Sequence, residues 1–299
     1  MSGQGRGRLV LVATPIGNLG DLSPRAREVL ATADLICCED TRRTRALLSA
    51  AGVAAGGPGG DRLLSLHGHN EPARLDRVAA AVAGGATVAV VSDAGTPGIS
   101  DPGAWLAAQL AAAGETVSTV PGPSSVVGAL VVSGLPADRF CVEGFLPRKG
   151  PERRRRVAAL MADERTFVVL EAPGRVAATL GELSAADPDR PVAVVRELTK
   201  LHEEVWRGSL GAAADEFAAR QVRGEVVLVV GGAPAPGPAG DEAVEAAVRA
   251  AIGDDPSAGP RQVAERVAAA LGVPRRRAYE AALRVRGSAA DGAGPSGRA

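Results

Sequence analysis

The chain has 299 residues, room for two domains of ordinary size, and 46% of them are apolar; only 2% are aromatic, so Ala, Val and Leu must fill the core. Thirty-four basic and 34 acidic residues cancel to zero net charge, which argues against a wholly basic nucleic-acid coat. Cys37, Cys38 and Cys141 fit neither a metal spacing nor a disulfide framework, MSGQGRGR has no signal-type apolar segment, and no apolar run could span a bilayer, so a soluble protein of the reducing cytosol with no membrane partner is expected.

Residues 1–7 read as a flexible tail. An apolar strand over 9–13 closes on Thr14-Pro15-Ile16-Gly17-Asn18, and Ser23-Pro24 opens a helix running to Leu30. A second strand over 34–38 closes on Glu39-Asp40-Thr41-Arg42, followed by a helix over 43–51 and a soft loop over 52–60. A third strand, 63–66, ends in His67-Gly68-His69-Asn70-Glu71, and a helix over 72–83 follows. The run Val88 to Val91 is a buried strand, and Ser92-Asp93-Ala94-Gly95-Thr96-Pro97-Gly98 after it can continue neither strand nor helix. Asp101-Pro102 then predicts an N-cap and a first helical proline, with a helix over 101–113. A fifth strand over 116–120 ends at Pro121-Gly122-Pro123-Ser124-Ser125. This alternation predicts a parallel sheet with right-handed crossovers. Its five loops share the edge where open α/β sheets hold ligands, and the Asp93 loop is expected to form half of a small-molecule site.

A second α/β unit follows. Helices are expected over 124–133, 152–162, 176–186 and 211–222, and strands over 139–145, 166–170, 191–196, 203–208 and 225–230. A basic stretch containing Arg148, Lys149, Arg153, Arg154, Arg155 and Arg156 lies within it. Residues 231–240 form a Gly/Pro/Ala linker, three short helices (241–252, 261–271, 275–286) carry a second basic cluster, Arg275 to Arg277, and 288–299 read as a tail. The expected organisation is α/β: domains over 8–121 and 122–232, a helical module over 241–287, and tails over 1–7 and 288–299.

Dinucleotide, P-loop and nucleophile-elbow signatures are absent. His67 and His69 could begin a metal site, but the third histidine, His202, is remote in sequence, and loop histidines without a metal are the expectation. Cys37-Cys38 reads as strand packing.

Six motifs occur in one order: LVATPIGNLGDLS, CCEDTRRTRALL, VSDAGTPGISDPG, VPGPSS, GFLPRKG and RELTKLHEE. Together they resemble the bacterial 16S ribosomal RNA cytidine 2′-O-methyltransferases of the tetrapyrrole methylase superfamily, over about residues 8–231 and more loosely beyond. The resemblance implies two α/β domains with S-adenosylmethionine in the cleft between them, a homodimer, and methyl transfer to a ribose 2′-hydroxyl of 16S rRNA or the small ribosomal subunit, not DNA. It places the cofactor on Pro15, Ile16, Gly17, Asp93, Ala94, Gly95, Thr96, Ser124 and Ser125, with Leu170 and Glu171 closing the pocket. Leu170 and Gly174 depart from the family's usual Tyr and His, and Gly68 from an acidic residue.

The sulfonium is an activated donor, so the protein must position the oxygen and help remove a proton. Glu39 and Asp40 are candidate bases, with helix capping the competing role. Lys200 could lower the hydroxyl's pKa or hold a phosphate. Arg42, Arg43, Arg148, Lys149 and Arg153 to Arg156 are candidate phosphate contacts. A small-molecule or tetrapyrrole methylase, a non-catalytic RNA-binding protein and a metal hydrolase built on His67 and His69 stay open as alternatives.

Overall fold

A computed structural model of the chain describes residues 7–57, 60–234 and 239–291. The first half runs β1 (Arg8–Val12), α1 (Pro24–Thr32), β2 (Leu35–Cys38), α2 (Thr41–Ala50), β3 (Gly56–Gly57), β4 (Gly60–Asp61), β5 (Leu63–Ser65), α3 (Glu71–Ala83), β6 (Thr87–Val91), α4 (Ala104–Ala112) and β7 (Thr116–Val120). Five of these strands make a parallel sheet in the order β5-β2-β6-β1-β7. Successive side chains point to opposite faces, so each strand feeds two cores. Val10, Ile36, Cys38 and Val91 pack with Leu30 of α1 and Leu48 of α2. Leu9, Cys37, Val88 and Val90 pack with Val78 of α3 and Leu106 of α4. The two neighbouring cysteines therefore lie on opposite faces, both fully buried, and burial pushes the Cys37 thiol up to about 12. They fill space, as expected. The predicted soft loop holds the small β3–β4 pair, where a glycine-rich strand has no side-chain alternation to reveal it.

The start of α4 differs from expectation. The helix begins at Ala104, and its N-cap is Gly103, in the left-handed region at φ +115°. Asp101 is not the cap. The carboxylate of Glu71, itself buried, accepts the Gly103 N–H at 3.2 Å and the Leu106 N–H at 3.1 Å. A long-range side chain has taken the capping role that local sequence assigned to Asp101.

The second half contains α5 (Ser125–Ser133), β8 (Phe140–Phe145), α6 (Gly150–Met161), β9 (Thr166–Glu171), α7 (Val176–Ala186), β10 (Pro191–Arg196), β11 (Glu204–Ser209), α8 (Leu210–Ala218) and β12 (Val226–Val230). The sheet order is β11-β10-β12-β9-β8, and only β8–β9 is a parallel pair. The helical crossovers still join parallel strands, but β12 inserts between β9 and β10 and makes their shared neighbours antiparallel. On one face Phe167, Leu180, Leu210 and Leu228 form a core with α6, α7 and α8. On the other, Val168, Ala193, Val227 and Val229 are covered by Val126, Ala129 and Leu130 of α5. The helix following the first sheet thus packs on the second, and the Arg207 guanidinium donates to the Val132 and Ser133 carbonyls. Both sheets fall in one compact unit ending at Ala233.

A second unit begins at Pro234. Its helices, α9 (Asp241–Asp254), α10 (Pro260–Leu271) and α11 (Arg275–Asp291), share a core of Val244, Val248, Val263, Val267 and small residues of α11. Helix α11 extends into the segment expected to be a tail; the rest of that tail, and residues 1–6 of the other, lie outside the described residues. No helix among the described residues is long and apolar enough to cross a membrane.

Candidate functional site

The loops after β1, β6 and β7 are laced to one another. Thr14 and Gly95 exchange two backbone hydrogen bonds, at 2.9 and 3.1 Å. The Ser92 hydroxyl lies within hydrogen-bond distance of the Ala94 and Gly95 carbonyls, and Thr96 Oγ1 donates to the Pro123 carbonyl at 3.1 Å. Opposite them stand the end of β9 and the start of β12, paired through Glu171 and Val226. Between lies a cleft of about 440 Å³, within the usual range for small-ligand sites.

Nine of the expected cofactor residues line it: Ile16, Asp93, Ala94, Gly95, Thr96, Ser124, Ser125, Leu170 and Glu171. Pro15 and Gly17 do not; a side chain at Gly17 would run into Lys200 and Thr199. Ser124 caps α5, and the first-turn amides of Ser125 and Val126 at the cleft have no intrahelical carbonyl to bond. Glu171 offers no free carboxylate. It is buried, accepts from the Ala172 N–H at 2.9 Å and Thr179 Oγ1 at 2.6 Å, and pairs with Arg175 at 3.1 Å. Leu170 supplies an apolar wall, and Gly174 is exposed outside the cleft.

Of the candidate catalytic groups, Glu39 lines the cleft; Asp40 and Lys200 do not. The Asp40 carboxylate caps α2 through the Arg42 N–H at 2.8 Å and pairs with the Arg42 guanidinium, which holds its pKa below the usual range. Its own N–H donates to Asp93 Oδ1 at 3.1 Å, while Arg43 pairs with Asp93 Oδ2 at 3.2 Å. The Asp40 backbone thus holds Asp93, while its carboxylate is engaged with Arg42 at the start of α2 and is not among the residues lining the cleft. Lys200 is held by Glu197 at 2.9 Å and Glu225 at 3.1 Å. Burial works against its charge, but these two carboxylates outweigh it and raise its pKa.

Asp101 is the group that sequence reasoning assigned elsewhere. It lines the cleft beside Glu39 and Asp93. Burial first, then the charge of Glu39, raises its pKa to about 6. Glu39 is raised as well, by burial and by Asp93. Ser100, just before Asp101, sits at φ +61°, a strained value for a residue with a side chain. The usable signal was Glu71, a carboxylate opening a helix immediately before the Asp101 loop's own strand, able to free Asp101 from capping.

The basic stretch divides in two. Arg153 is buried and bonds Glu182 at 2.6 Å, Thr179 at 2.9 Å and the Pro147 carbonyl at 3.0 Å, so it is a structural residue and not a phosphate contact. Arg156 pairs with Glu143. Arg148, Lys149, Arg154 and Arg155 are exposed, and no carboxylate among the described residues pairs with them. Arg42 is exposed at the rim, and Arg43 faces the cleft. In the second unit, Arg275, Arg276 and Arg277 pair with Glu265, Glu280 and Asp241, which reduces that cluster's net positive field. His67 and His69 are exposed with ring centres 6.3 Å apart, and among the described residues no group of three or more His, Cys, Asp or Glu could hold a metal.

Comparison with known proteins places this geometry. Residues 8–214 match the family of Tetrapyrrole (Corrin/Porphyrin) Methylases. A Mycobacterium tuberculosis protein named ribosomal RNA small subunit methyltransferase I is 51% identical over 76% of this chain and 78% of its own length. A Thermotoga maritima protein of the same name is 41% identical over 76% of this chain and 99% of its own. Among solved structures, a cobalt precorrin-4 methyltransferase of cobalamin biosynthesis superposes with a TM-score of 0.57 at 17% identity, over 77% of this chain and 97% of its own, which shows a shared fold.

Proposed function

Because this chain belongs to the tetrapyrrole (corrin/porphyrin) methylase family, we propose that it moves the methyl group of S-adenosylmethionine to RNA of the small ribosomal subunit, at the 2′-hydroxyl of a cytidine ribose in 16S rRNA. The observation that carries this reading is the cleft, lined by nine of eleven residues expected to hold that cofactor, in a chain whose relatives are named as small-subunit rRNA methyltransferases.

The residues present fit the cofactor. Ile16, Val126, Leu170 and Val227 offer apolar walls for an adenine. Asp93, fixed by Arg43 and the Asp40 N–H, suits hydroxyls or an ammonium. The first-turn amides of α5 suit a carboxylate. When bound, the cofactor supplies a methyl already activated by a sulfonium. The chain's own task is to hold the ribose oxygen at the cleft and remove its proton. Asp101 is the base we assign: it lines the cleft, is freed from helix capping by Glu71, and ionises near neutral pH. Glu39, beside it, keeps the local field acidic.

Four exposed basic side chains, Arg148, Lys149, Arg154 and Arg155, with no carboxylate partner among the described residues, favour RNA over a small tetrapyrrole, the second reading that this fold permits. The test is transfer of tritiated methyl from S-adenosylmethionine to small subunits taken from cells lacking this protein, with a corrinoid precursor in parallel. Label in a cytidine ribose supports the reading; label only in the corrinoid overturns it.

We also propose a homodimer. Cys141 faces α6–α8, so Phe140 and Val142 of the edge strand β8 lie on the α5 side of the sheet, where Val127 and Val131 of α5 are exposed as well. An exposed apolar face of this kind on an edge strand needs cover, and a second copy presenting the same face supplies it symmetrically.

A further inference from the structure

We propose that Phe145 is the platform on which an unstacked base of the substrate RNA stacks when its ribose enters the cleft. This deepens the RNA reading above and rests on it. Aromatic residues are scarce in this chain, and Phe145 is a large one left 58% exposed.

Its position is built. The pairing of β8 with β9 slips between Val142 and Gly144, leaving Glu143 as an extra residue. Such a bulge re-aims the side chains that follow it. Gly144 lies in the left-handed region at φ +65°, and a Cβ there would come within 2.8 Å of Ser100 Oγ, so the bulge is seated against the loop that carries Asp101. Phe145 next pairs with Leu170, the apolar wall of the cleft. Phe145 lines the cleft and also two further hollows, one bordered by Pro147 and Arg155, the other by Arg148 and Ala172.

One ring therefore bridges the proposed reaction cleft and the surface where Arg148 and Arg155 stand exposed with no carboxylate partner among the described residues. A nucleotide threading from that surface to Asp101 would pass its base over the ring while its phosphates met the arginines. Proteins that read single-stranded RNA use aromatic faces in this way, because every base has a π-face to stack.

The test compares Phe145→Leu, which keeps apolar volume but loses the ring, with Phe145→Trp, which keeps a stacking face. Three quantities are measured: affinity for transcribed 16S rRNA, KM and kcat with small subunits, and affinity for S-adenosylhomocysteine. The expected result is an RNA affinity about tenfold or more weaker for Leu, from the loss of one stacked base, with KM raised alike. Trp should stay near wild type, and S-adenosylhomocysteine affinity should stay level in both. Leu equal to wild type in RNA affinity and KM overturns the proposal, since volume alone would then suffice. Leu that loses S-adenosylhomocysteine but not RNA also overturns it and gives the ring to the cofactor. Wild-type protein that neither binds nor methylates the RNA overturns the parent reading, an outcome distinct from either of these.

Discussion

Asp101 changes role between sequence and structure, and its new role has measurable consequences. As the base it works only when ionised, so kcat/KM should rise with pH through about 6 and level off above. Asp101→Asn should bind S-adenosylhomocysteine normally, lose roughly 100-fold or more in turnover, and lose that acid limb. An unchanged limb in the variant would assign the titration to another group. The same shift affects stability. The folded pKa lies above the ordinary 3.8, so the folded state binds the proton more tightly than the unfolded chain, and Asp101 becomes destabilising as pH rises from about 4 to about 6. Asp101→Asn should therefore melt above wild type at pH 8 and close to it below pH 4; equal differences at both pH values would contradict the shift. The arginines separate in the same manner. Arg153→Ala should cost about 3 kcal/mol in a urea melt, because it removes a buried guanidinium that bonds buried Thr179 and half-buried Glu182. Replacing Arg154 and Arg155 by Ala should leave the melt alone and flatten the salt dependence of RNA binding by roughly 0.7–0.9 for each phosphate no longer neutralised. A slope that does not move would take both residues off the RNA surface.

Helix α4 shows why element ends are harder to read than elements. Its apolar residues and the strand before it are evident locally, and the helix is where the pattern puts it. Asp101-Pro102 nevertheless mimics a helix start, because capping signals are local and the competing acceptor, Glu71, is far away in sequence. Glu71→Ala should lower stability by about 2 kcal/mol by orphaning the Gly103 and Leu106 amides. Glu71→Gln keeps an acceptor and should recover most of that. If Ala and Gln melt together, the hydrogen bonds are not what holds the helix start. The bulge in β8 is a second case: alternation predicted a strand ending at residue 145, while the slip that aims Phe145 depends on the register of β9 beside it.

At the scale of the molecule, the two sheets matter through the cleft they enclose and the face they leave bare. If Val127, Val131, Phe140 and Val142 form the contact between two copies, Val131→Asp should shift the molar mass measured by light scattering from dimer to monomer without lowering the melting temperature of the monomer, since Val131 is 72% exposed. A wild-type protein that runs as a monomer at all concentrations would reject that surface as a dimer contact.

Local patterning determined most of the chain order of strands and helices and singled out the Asp93 loop, because periodicity, caps and turn residues act between near neighbours; the cofactor residues expected at 15–17 and 124–125 came from the family resemblance and not from pattern. Patterning also determined Cys37 and Cys38 as packing, since a short apolar strand feeding helices on both sides is buried on both faces. Tertiary structure decided the rest. The insertion of β12 between β9 and β10, the burial of Arg153, the hold of the Asp40 N–H on Asp93 and the release of Asp101 each depend on a partner many residues away. Contacts of that kind leave no period in the chain, so only the folded molecule shows which polar side chains are already committed and which remain to meet a substrate.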